Sequence, residues 1–372
     1  MKAGWRTLPF SDVFADASGG NRKTPQSEFL DSGRFAIVDQ GKSLIAGYTD
    51  DDSRLCQVPP PVIVFGDHTR CLKYVDFPFC MGADGVKVLS PKVEADVRYL
   101  FHYLRQLRLP DAGYARHYKY LKSSVIQLPP LPEQKRIASV LEHAQALARM
   151  RQSALEATGS VAQALFAKMF GDPLANVRGF DVYRLEELVD AERPITYGIL
   201  KPGPDQPSGV NYVRVADMKD GGIDLGGIRK TTEAISGAYR RSVLAPGDLL
   251  MSIRGHVGRM ATVPGELAGA NITQDSARLA VVGASPTFVR ECLRAPSVQR
   301  WMAKHTKGIA VQGINLGDVK KIPVIAPPRR MQEQFAEKVA NVENLLSKQR
   351  RSAEQIASLG ASLQYRAFVG AL

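Results

Sequence analysis

Cysteine is scarce in this chain, and apolar runs long enough to cross a membrane are absent. The 372 residues include four cysteines, Cys56, Cys71, Cys80 and Cys292, and no Cys-x-x-Cys pair. Reduced thiols are therefore expected rather than a disulfide framework or a zinc site. No apolar stretch approaches the roughly 20 residues that a membrane helix needs, and the N-terminus leads into no apolar signal segment. These absences predict a cytoplasmic protein that does not bind a membrane.

The sequence also lacks the short motifs of several enzyme classes. Gly41-Lys42-Ser43 resembles the end of a P-loop, but Ala36 stands where that motif needs glycine. There is no zinc-protease helix motif, no zinc-type spacing of cysteine and histidine, and no glycine-rich dinucleotide fingerprint after a strand. The Asn-Pro-Pro-aromatic motif of amino-methyltransferases is absent as well. The chain is therefore predicted to have no catalytic site, no metal site and no bound cofactor of its own.

One long segment of the chain occurs twice, at an offset of 198 residues. Pro129-Pro130-Leu131-Pro132-Glu133-Gln134 opens a helical run that ends near Phe170, and Pro327-Pro328 opens a second run that ends near Phe368. The two runs align without a gap, but the second Glu-Gln pair, Glu333-Gln334, comes two residues late. A repeat of this length predicts the order globular half, helix, globular half, helix.

Both runs have the spacing of a coiled coil, with apolar residues alternately four and three positions apart. About 38 residues at 1.5 Å each give a rod of roughly 57 Å, too long for one half to bury. Each helix is therefore predicted to pack antiparallel on the other, with Arg151 and Gln349 close together near the midpoint. The residues predicted for the helix pair and the subunit interface are Ile137, Leu141, Leu147, Arg151, Leu155, Leu165, Phe335, Val339, Leu346, Gln349, Ile356 and Leu363.

Residues 1–128 and 172–323 are predicted to be related globular domains, with the long helices over 129–171 and 324–372. Each half has short apolar strands between Gly- and Asp-rich turns, for example 35–38 in the first and 212–215 in the second. Each also has an amphipathic helix, around Val97–Leu107 and around Thr287–Lys304. Short strands that alternate with one or two helices indicate α+β domains with a mixed, twisted sheet.

The balance of charge is strongly basic. The net charge of +12 and the pI near 9.5 favour a polyanionic partner, most simply nucleic acid. The excess is spread over both halves and both helical runs and forms no basic tail, so a solvated surface is the simpler alternative. Charge alone therefore leaves the function open.

Two segments of the chain resemble a known family. They are Leu128-Pro129-Pro130-Leu131-Pro132-Glu133-Gln134-Lys135-Arg136-Ile137-Ala138 and Leu165-Phe166-Ala167-Lys168-Met169-Phe170-Gly171-Asp172-Pro173. Both are similar to segments that follow each target-recognition domain in the DNA specificity subunits of type I restriction–modification enzymes. The order of two domains and two helices matches that family over essentially the whole chain. The resemblance implies an α+β fold with two pseudo-twofold-related target-recognition domains, separated by a pair of long antiparallel coiled-coil helices.

The resemblance also implies partners and a division of labour. Each globular half would read one part of a bipartite double-stranded DNA target, and the helix pair would set the gap between the parts. The helices would hold the DNA methyltransferase (modification) subunits, and the endonuclease/translocase (restriction) subunits would join that complex. S-adenosylmethionine, ATP and Mg are expected on these partner subunits and not on this chain, which would be a non-catalytic subunit.

Basic and polar side chains in the loops of both halves are the candidates for DNA contact. Contacts from cations to phosphates position the protein, and Arg, Lys, Asn, Gln and His can read base edges. In the first half the candidates are Arg22, Lys23, His68, Thr69, Arg70, Lys73, Arg116, His117, Lys119 and Lys122. In the second half they are Tyr197, Lys201, Arg254, His256, Arg259, Thr273, Gln274, Lys307 with the loop up to Gln312, and Asn315.

Three alternatives stay open at the level of the sequence. A stand-alone DNA-binding protein would need no helix surface for other subunits, whereas Leu147, Val161 and Phe166 widen the apolar stripe beyond a two-helix seam. A DNA-modifying enzyme with an unrecognised site would turn over S-adenosylmethionine or cut DNA by itself. An assembly scaffold would prefer no DNA sequence over random DNA.

Overall fold

The computed structural model describes residues 4–83, 85–110, 113, 115–219, 221–308 and 312–372. The chain divides into two compact units: unit 1 joins residues 1–152 to 351–372, and unit 2 comprises residues 153–350. Because this division cuts both long helices, each unit contains part of each helix. In the described part of the chain, no helix combines the length and the apolarity that crossing a membrane requires.

The elements of the chain are short apart from the two long helices. From the start to the first long helix they are β1 (Arg6–Pro9), α1 (Phe10–Val13), β2 (Phe14–Asp16), β3 (Phe35–Val38), β4 (Gly47–Thr49), β5 (Val62–Gly66), β6 (Leu72–Val75), β7 (Phe79–Met81), β8 (Val86–Pro91), α2 (Val97–Gln106), α3 (Tyr118–Lys122), β9 (Val125–Leu128) and α4 (Leu131–Phe170). The remaining elements are β10 (Asp181–Arg184), β11 (Thr196–Tyr197), β12 (Val210–Val213), β13 (Met218–Lys219), β14 (Gly222–Ile223), β15 (Arg229–Thr231), α5 (Glu233–Ala238), β16 (Leu249–Ser252), β17 (Met260–Thr262), β18 (Asn271–Ile272), β19 (Ser276–Leu279), α6 (Pro286–Arg294), α7 (Pro296–His305), α8 (Leu316–Lys320), β20 (Pro323–Ala326) and α9 (Arg329–Phe368).

The two units share one strand topology. The four-stranded antiparallel sheet β2-β8-β5-β6 of unit 1 has its counterpart in β11-β19-β16-β17 of unit 2. The three-stranded sheet β4-β3-β7 corresponds to β15-β12-β18, and in both the second pair of strands is parallel. The antiparallel pair β1-β9 corresponds to β10-β20. These matches confirm the repeated α+β fold predicted from the sequence.

The central strand β5 shows why such a short apolar run forms a strand. All five of its residues are buried. Ile63 and Phe65 point into the core that includes the long helices, and Val62 and Val64 point into a second core against β7. A strand that is covered on both faces has no need of polar residues at alternate positions.

The helix predicted around Thr287–Lys304 is in fact two helices, and this part of the prediction was wrong. The structure ends α6 at Arg294 and begins α7 at Pro296, with Ala295 in extended conformation between them. Proline has no N–H to donate to the preceding turn and its ring clashes there, so it is tolerated at the start of a helix but not in the interior. The corresponding prediction in the first half, around Val97–Leu107, matches α2.

The long helices α4 and α9 have 40 residues each and pack antiparallel within each unit. In unit 1, Ile137 and Leu141 near the start of α4 share a core with Ala367 and Phe368 at the end of α9. In unit 2 the ring of Phe335, near the start of α9, lies 5.7 Å from Phe166 and 5.4 Å from Phe170 at the end of α4. The antiparallel helix pair is thereby confirmed.

The predicted helix-pair residues differ in burial. Ile137, Leu141, Phe335 and Val339 are buried, and Leu155, Leu165, Leu346, Ile356 and Leu363 are half-buried. Leu147 is 44% exposed and Val161 is 37% exposed, which leaves apolar surface on α4. Phe166, predicted to widen that outer stripe, is 1% exposed and belongs to the core of unit 2, so that prediction was wrong. Arg151 and Gln349 are half-buried and belong to different units, and their pairing stays a prediction.

A buried glutamine fixes the start of each long helix to the globular part of its unit. Gln134 donates from Nε2 to the Pro129 carbonyl at 2.8 Å and accepts at Oε1 from the N–H of Asp96, the cap of α2, at 2.9 Å. Gln332 donates to the Pro327 carbonyl at 2.8 Å and accepts from the N–H of Ser285, the cap of α6, at 2.9 Å. We call this arrangement the glutamine clamp of each unit.

The glutamine clamp agrees with the ungapped alignment of the two helical runs and not with the position of the second Glu-Gln pair. The sequence motif paired Gln134 with Gln334, which is exposed, whereas the equivalent residue in the structure is Gln332, 4% exposed. Gln332 stands at the same offset of 198 residues as the rest of the repeat. The second copy of the motif is therefore in register at the residue that makes the hydrogen bonds.

Candidate nucleic-acid interface

In unit 1 the turn between β5 and β6 and the segment before α3 form one surface. Buried Asp67, which follows β5, accepts at Oδ1 from the N–H of Tyr118 at 2.7 Å, and its carbonyl accepts from the N–H of His117 at 2.8 Å. Two candidate loops that lie far apart in sequence are thus held together by one aspartate. The turn with His68, Thr69 and Arg70 and the segment 116–122, which were separate candidates in the sequence, are therefore neighbours in the structure.

The β5–β6 turn has a fixed shape. The Thr69 hydroxyl donates to the Gln40 carbonyl at 2.5 Å, and Arg70 adopts a positive φ of 61°. A Cβ on Gly66 would lie 2.2 Å from Thr69 Oγ1, so this close approach requires glycine. The turn leaves Thr69 exposed and His68 and Arg70 half-buried at the surface.

Three exposed cations, Arg116, Lys119 and Lys122, flank this turn on the α3 side. Lys119 Nζ lies 4.9 Å from the ring centre of Tyr120, and Lys122 Nζ lies 6.0 Å from that of Tyr118. Cations over aromatic faces are held without losing their charge. Burial raises the pKa of Tyr118 to about 12. The arrangement is a basic surface of the kind that contacts phosphates.

Not every candidate of the first half faces solvent. Lys73 is 5% exposed, and its Nζ pairs with Asp39 at 3.1 Å, so it holds the loop after β3 instead of facing solvent. His117 is 1% exposed and its Nδ1 contacts the Asp67 carbonyl, which makes it part of the joint between the two loops. Arg22 and Lys23 are exposed on a separate loop, where Arg22 donates to the Ser53 hydroxyl at 3.0 Å.

In unit 2 the equivalent turn, between β16 and β17, again meets the segment before the short helix. Arg254 donates to Gln274 Oε1 at 3.0 Å, and the N–H of Gly255 donates to the Gln312 carbonyl at 2.9 Å. Lys307 and Gly313 exchange backbone hydrogen bonds of 2.8 and 2.9 Å, which close the loop between them. Residues 309–311 of that candidate loop lie outside the described residues. The structure therefore brings Arg254, Gln274, Lys307 and Gln312 together.

The other candidates of the second half have different surroundings. His256 is exposed on the β16–β17 turn, and Tyr197 is 45% exposed on β11, beside Thr273. Exposed Lys201 lies beside α5, with Ile235 and Tyr239, and not with Arg254.

Structural surroundings argue against base contacts for three other candidates, Arg259, Thr273 and Asn315. Arg259 donates to the Val215 and Met218 carbonyls, Thr273 is 8% exposed, and Asn315 caps α8 through the N–H of Asp318.

Sequence reasoning missed the residues that position these loops. Asp67 and Gln40 hold the β5–β6 turn, and they gave no signal because their partners lie 28 to 51 positions away in sequence. The backbone bridge between Arg254 and Gly313 likewise could not be predicted from the local sequence. Within the described ranges, no three His, Cys, Asp or Glu side chains come together as a group that could hold a metal ion.

The first globular half and the start of α4 match a known protein family. Residues 2–157 match the model of the type I restriction modification DNA specificity domain. Residues 2–157 are thus similar to this domain. The match agrees with the resemblance carried by the first copy of the Pro-Pro-Leu-Pro-Glu-Gln motif.

A curated relative extends the likeness to this specificity-domain family beyond the first half. The chain is 28% identical to the type I restriction enzyme EcoBI specificity subunit of Escherichia coli over 289 residues, which are 68% of this chain and 59% of that protein. The chain thus spans less than two thirds of the length of this relative.

Two solved structures have a similar fold over nearly the whole chain. One comes from work on complex assembly and conformational transition of the type I R-M system; it is 19% identical, covers 100% of this chain and 99% of that one, and gives a TM-score of 0.58. The other is the S subunit of a type I restriction–modification system from M. genitalium; it is 15% identical, covers 98% and 96%, and gives a TM-score of 0.60. At these identities the likeness establishes the fold.

Proposed function

We propose that this chain is the non-catalytic DNA specificity subunit of a type I restriction–modification complex. Each unit reads one part of a bipartite double-stranded DNA target. The observation that carries the proposal is the repeated surface: in each unit the hairpin turn of the four-stranded sheet is bonded to the segment before a short helix, and the exposed residues there are cationic or polar. Two equivalent surfaces suit two half-sites better than one continuous site.

The side chains of the two surfaces are suited to two kinds of contact, with phosphates and with base edges. In unit 1, Arg116, Lys119 and Lys122 contact phosphates, while His68 and Arg70 on the turn reach base edges. In unit 2, Arg254, His256 and Gln312 read bases, and Lys307 contacts the backbone. Arginine and glutamine present paired hydrogen-bonding groups that match guanine and adenine in the major groove.

The helix pair sets the gap between the half-sites and docks the modification subunits. Each helix contributes side chains to the core of both units, so its length and register bear on both reading surfaces. Exposed apolar side chains on the helices, among them Leu147, Met150 and Leu359, offer contacts to a partner subunit. S-adenosylmethionine, ATP and Mg are expected on the modification and restriction subunits, and the restriction subunits join the complex.

Methylation mapping tests this function directly. DNA from cells that express this chain with its neighbouring methyltransferase is sequenced by a long-read method that detects methylated bases, beside DNA from cells without this chain. A split motif that depends on this chain is the expected result. If the complex assembles and no new motif appears, the specificity role is rejected.

The same assay separates the two reading surfaces. Arg254→Ala/His256→Ala should weaken recognition of one half-site about tenfold to a hundredfold and leave the other half-site unchanged, because a good paired contact discriminates between bases by about 1–3 kcal/mol. Arg184→Ala, at an exposed position on β10, is the control. Equal loss at both half-sites would contradict the assignment of this turn.

A further inference from the structure

Unit 2 contains an arginine-rich cavity away from the loops proposed to read DNA. The cavity has a volume of about 640 Å³ and is lined by Arg193, Arg240, Arg241, Arg278 and Glu192, among others. Asp248, bonded to Arg193, precedes β16, whereas Arg254 follows that strand. At about 3.3 Å per residue, the two ends lie roughly 20 Å apart. The cavity is therefore a separate feature from the β16–β17 turn.

Arg278 is the unusual member of this set. Its side chain is 2% exposed and belongs to the central strand β19, and its Nη2 donates to the Pro194 carbonyl at 2.9 Å. Its Nε has no hydrogen-bond partner among the described residues. A buried guanidinium with an unused N–H is costly, and such groups call for an explanation. Burial and the nearby Arg193 lower the pKa of Arg278, as expected of a charge that is only partly compensated.

The turn that carries two of the other arginines is held in place by buried polar contacts. Arg240 and Arg241 are exposed on a short 3-10 turn, which ends at buried Ser242. The Ser242 hydroxyl donates to Asn271 Oδ1 at 2.5 Å, and Asn271 Nδ2 donates to the Ser236 hydroxyl at 2.9 Å. A turn that is fixed in this way presents its cations with little loss of backbone entropy on binding.

The charges of the cavity favour an anion even after its carboxylates are counted. Asp248 is 4% exposed and binds Arg193 in a paired geometry at 3.0 and 2.6 Å, so these two charges compensate each other. Glu192 is exposed at the rim, and Asp190 accepts from the N–H of Glu192 at 2.9 Å. Three cations, Arg240, Arg241 and Arg278, are thus set against two carboxylates, those of Glu192 and Asp190. In the described part of the chain, buried Arg278 has no carboxylate bonded to it.

We propose that this cavity binds a phosphate group. The planar fork of arginine matches phosphate oxygens with paired N–H donors, and such charge-assisted bonds are among the strongest in proteins. The phosphate can be part of a DNA backbone or belong to a free nucleotide, and both sources present the same chemistry. The inference concerns a site outside the proposed reading surfaces and does not depend on which bases they recognise.

The test uses the full chain and inorganic phosphate as the probe. Phosphate is titrated calorimetrically against chloride at equal ionic strength. Arg240→Gln/Arg241→Gln removes the two exposed cations without touching the core, and Arg184→Gln/Arg229→Gln removes two exposed arginines elsewhere in unit 2 as the matched control. Phosphate binding should weaken at least about tenfold in the first double variant and stay unchanged in the second.

Two further probes distinguish the sources of the phosphate. If DNA supplies it, the Arg240→Gln/Arg241→Gln variant should bind short duplex DNA more weakly, with a salt dependence reduced by about 0.9 for each phosphate that the variant no longer neutralises. If a nucleotide supplies it, a nucleoside 5′-monophosphate should compete with phosphate while DNA binding matches that of the control. The proposal is overturned if phosphate binds no better than chloride, or if the control variant loses as much affinity.

Discussion

The two units attach a long helix to a shorter helix through different side-chain contacts. In both, the glutamine clamp ties a long helix to the cap of a shorter one, α2 in unit 1 and α6 in unit 2. Beyond the clamp the contacts diverge. Unit 1 packs Tyr99 and Tyr103 of α2 on Phe368, with ring centres 5.8 and 5.4 Å apart. Both tyrosine hydroxyls donate to carbonyls of β9.

Unit 2 adds a buried ionic network to its aromatic packing. Glu291 is 0% exposed and binds Arg290 at 2.9 Å, Arg294 at 2.9 Å and Gln163 of α4 at 2.6 Å. Arg290 in turn binds Glu343 of α9 at 2.6 Å. Six residues after the cap of its helix, unit 1 has buried His102 where unit 2 has Glu291.

This difference shows which of the contacts between the long and the short helix are interchangeable. Backbone groups at the start of each long helix need partners in either unit, because buried N–H and carbonyl groups are costly when unpaired. The clamp meets this need and is the same in both. The side chains further along α2 and α6 only have to fill space and compensate charge, so tyrosines suffice in one unit and an ion network serves in the other.

The largest effect is expected at the buried network. Glu291→Gln keeps the shape of the side chain and removes its charge. Buried Arg290 and half-buried Arg294 then lose this buried counterion, and unit 2 should lose about 3–5 kcal/mol of stability. Glu343→Gln is the matched control, since Glu343 binds the same arginine but is 51% exposed, and it should cost less than about 1 kcal/mol. Denaturant unfolding measures both. Equal costs would show that burial of the network contributes nothing.

The second largest effect is a dependence of the stability of unit 1 on pH. Burial, with Arg105 and Arg98 nearby and Asp96 opposing them, lowers the pKa of His102 to about 4. The unfolded chain therefore binds more protons than the folded chain between about pH 6.5 and 4, so unit 1 should lose stability as the pH falls through that window, by about 3 kcal/mol at most. Unfolding of the parent chain and of His102→Phe at pH 7 and pH 4.5 checks this. A variant with the same pH dependence as the parent would rule His102 out.

A smaller effect tests what the units share. Gln332→Ala leaves the Pro327 carbonyl and the Ser285 N–H without partners and should cost about 2 kcal/mol. Gln134→Ala should cost about as much in unit 1. Gln334→Ala, an exposed glutamine on the same helix, should cost less than about 0.5 kcal/mol. Thermal unfolding compares the three, and a Gln334 variant as unstable as the Gln332 variant would contradict the clamp.

Periodic features of the fold could be predicted from the sequence, and features decided by distant residues could not. The 3.5-residue spacing predicted the long helices, and short apolar runs such as 35–38 predicted strands at the right place. The clamp at Gln332 was available from the ungapped repeat, but the motif letters drew attention to Gln334. Pro296 was a visible helix breaker inside the helix predicted around Thr287–Lys304.

The candidate site was predicted at the level of loops and less well for single residues. Lys73 and Val75 lie on the same buried face of β6, which the period of two along a strand could have indicated. Its partner Asp39, however, lies 34 residues away, and no local pattern predicts that ion pair. Whether a loop cation faces solvent depends on such long-range contacts, so composition alone could not separate Lys73 from Arg116.

The smallest expected effect sharpens the comparison of the two reading surfaces. Exposed Arg116 and exposed Gln312 occupy equivalent segments before the short helices α3 and α8. Arg116→Ala should reduce affinity for target DNA by about 1 kcal/mol for any sequence and lower the salt dependence by about 0.9, because it removes a phosphate contact. Gln312→Ala should leave the salt dependence unchanged and relax sequence preference at one half-site only. DNA titrations of the assembled complex at several salt concentrations measure both. Identical salt slopes would mean that the two surfaces hold DNA in the same way, although unit 1 places three cations where unit 2 has Lys307 and Gln312.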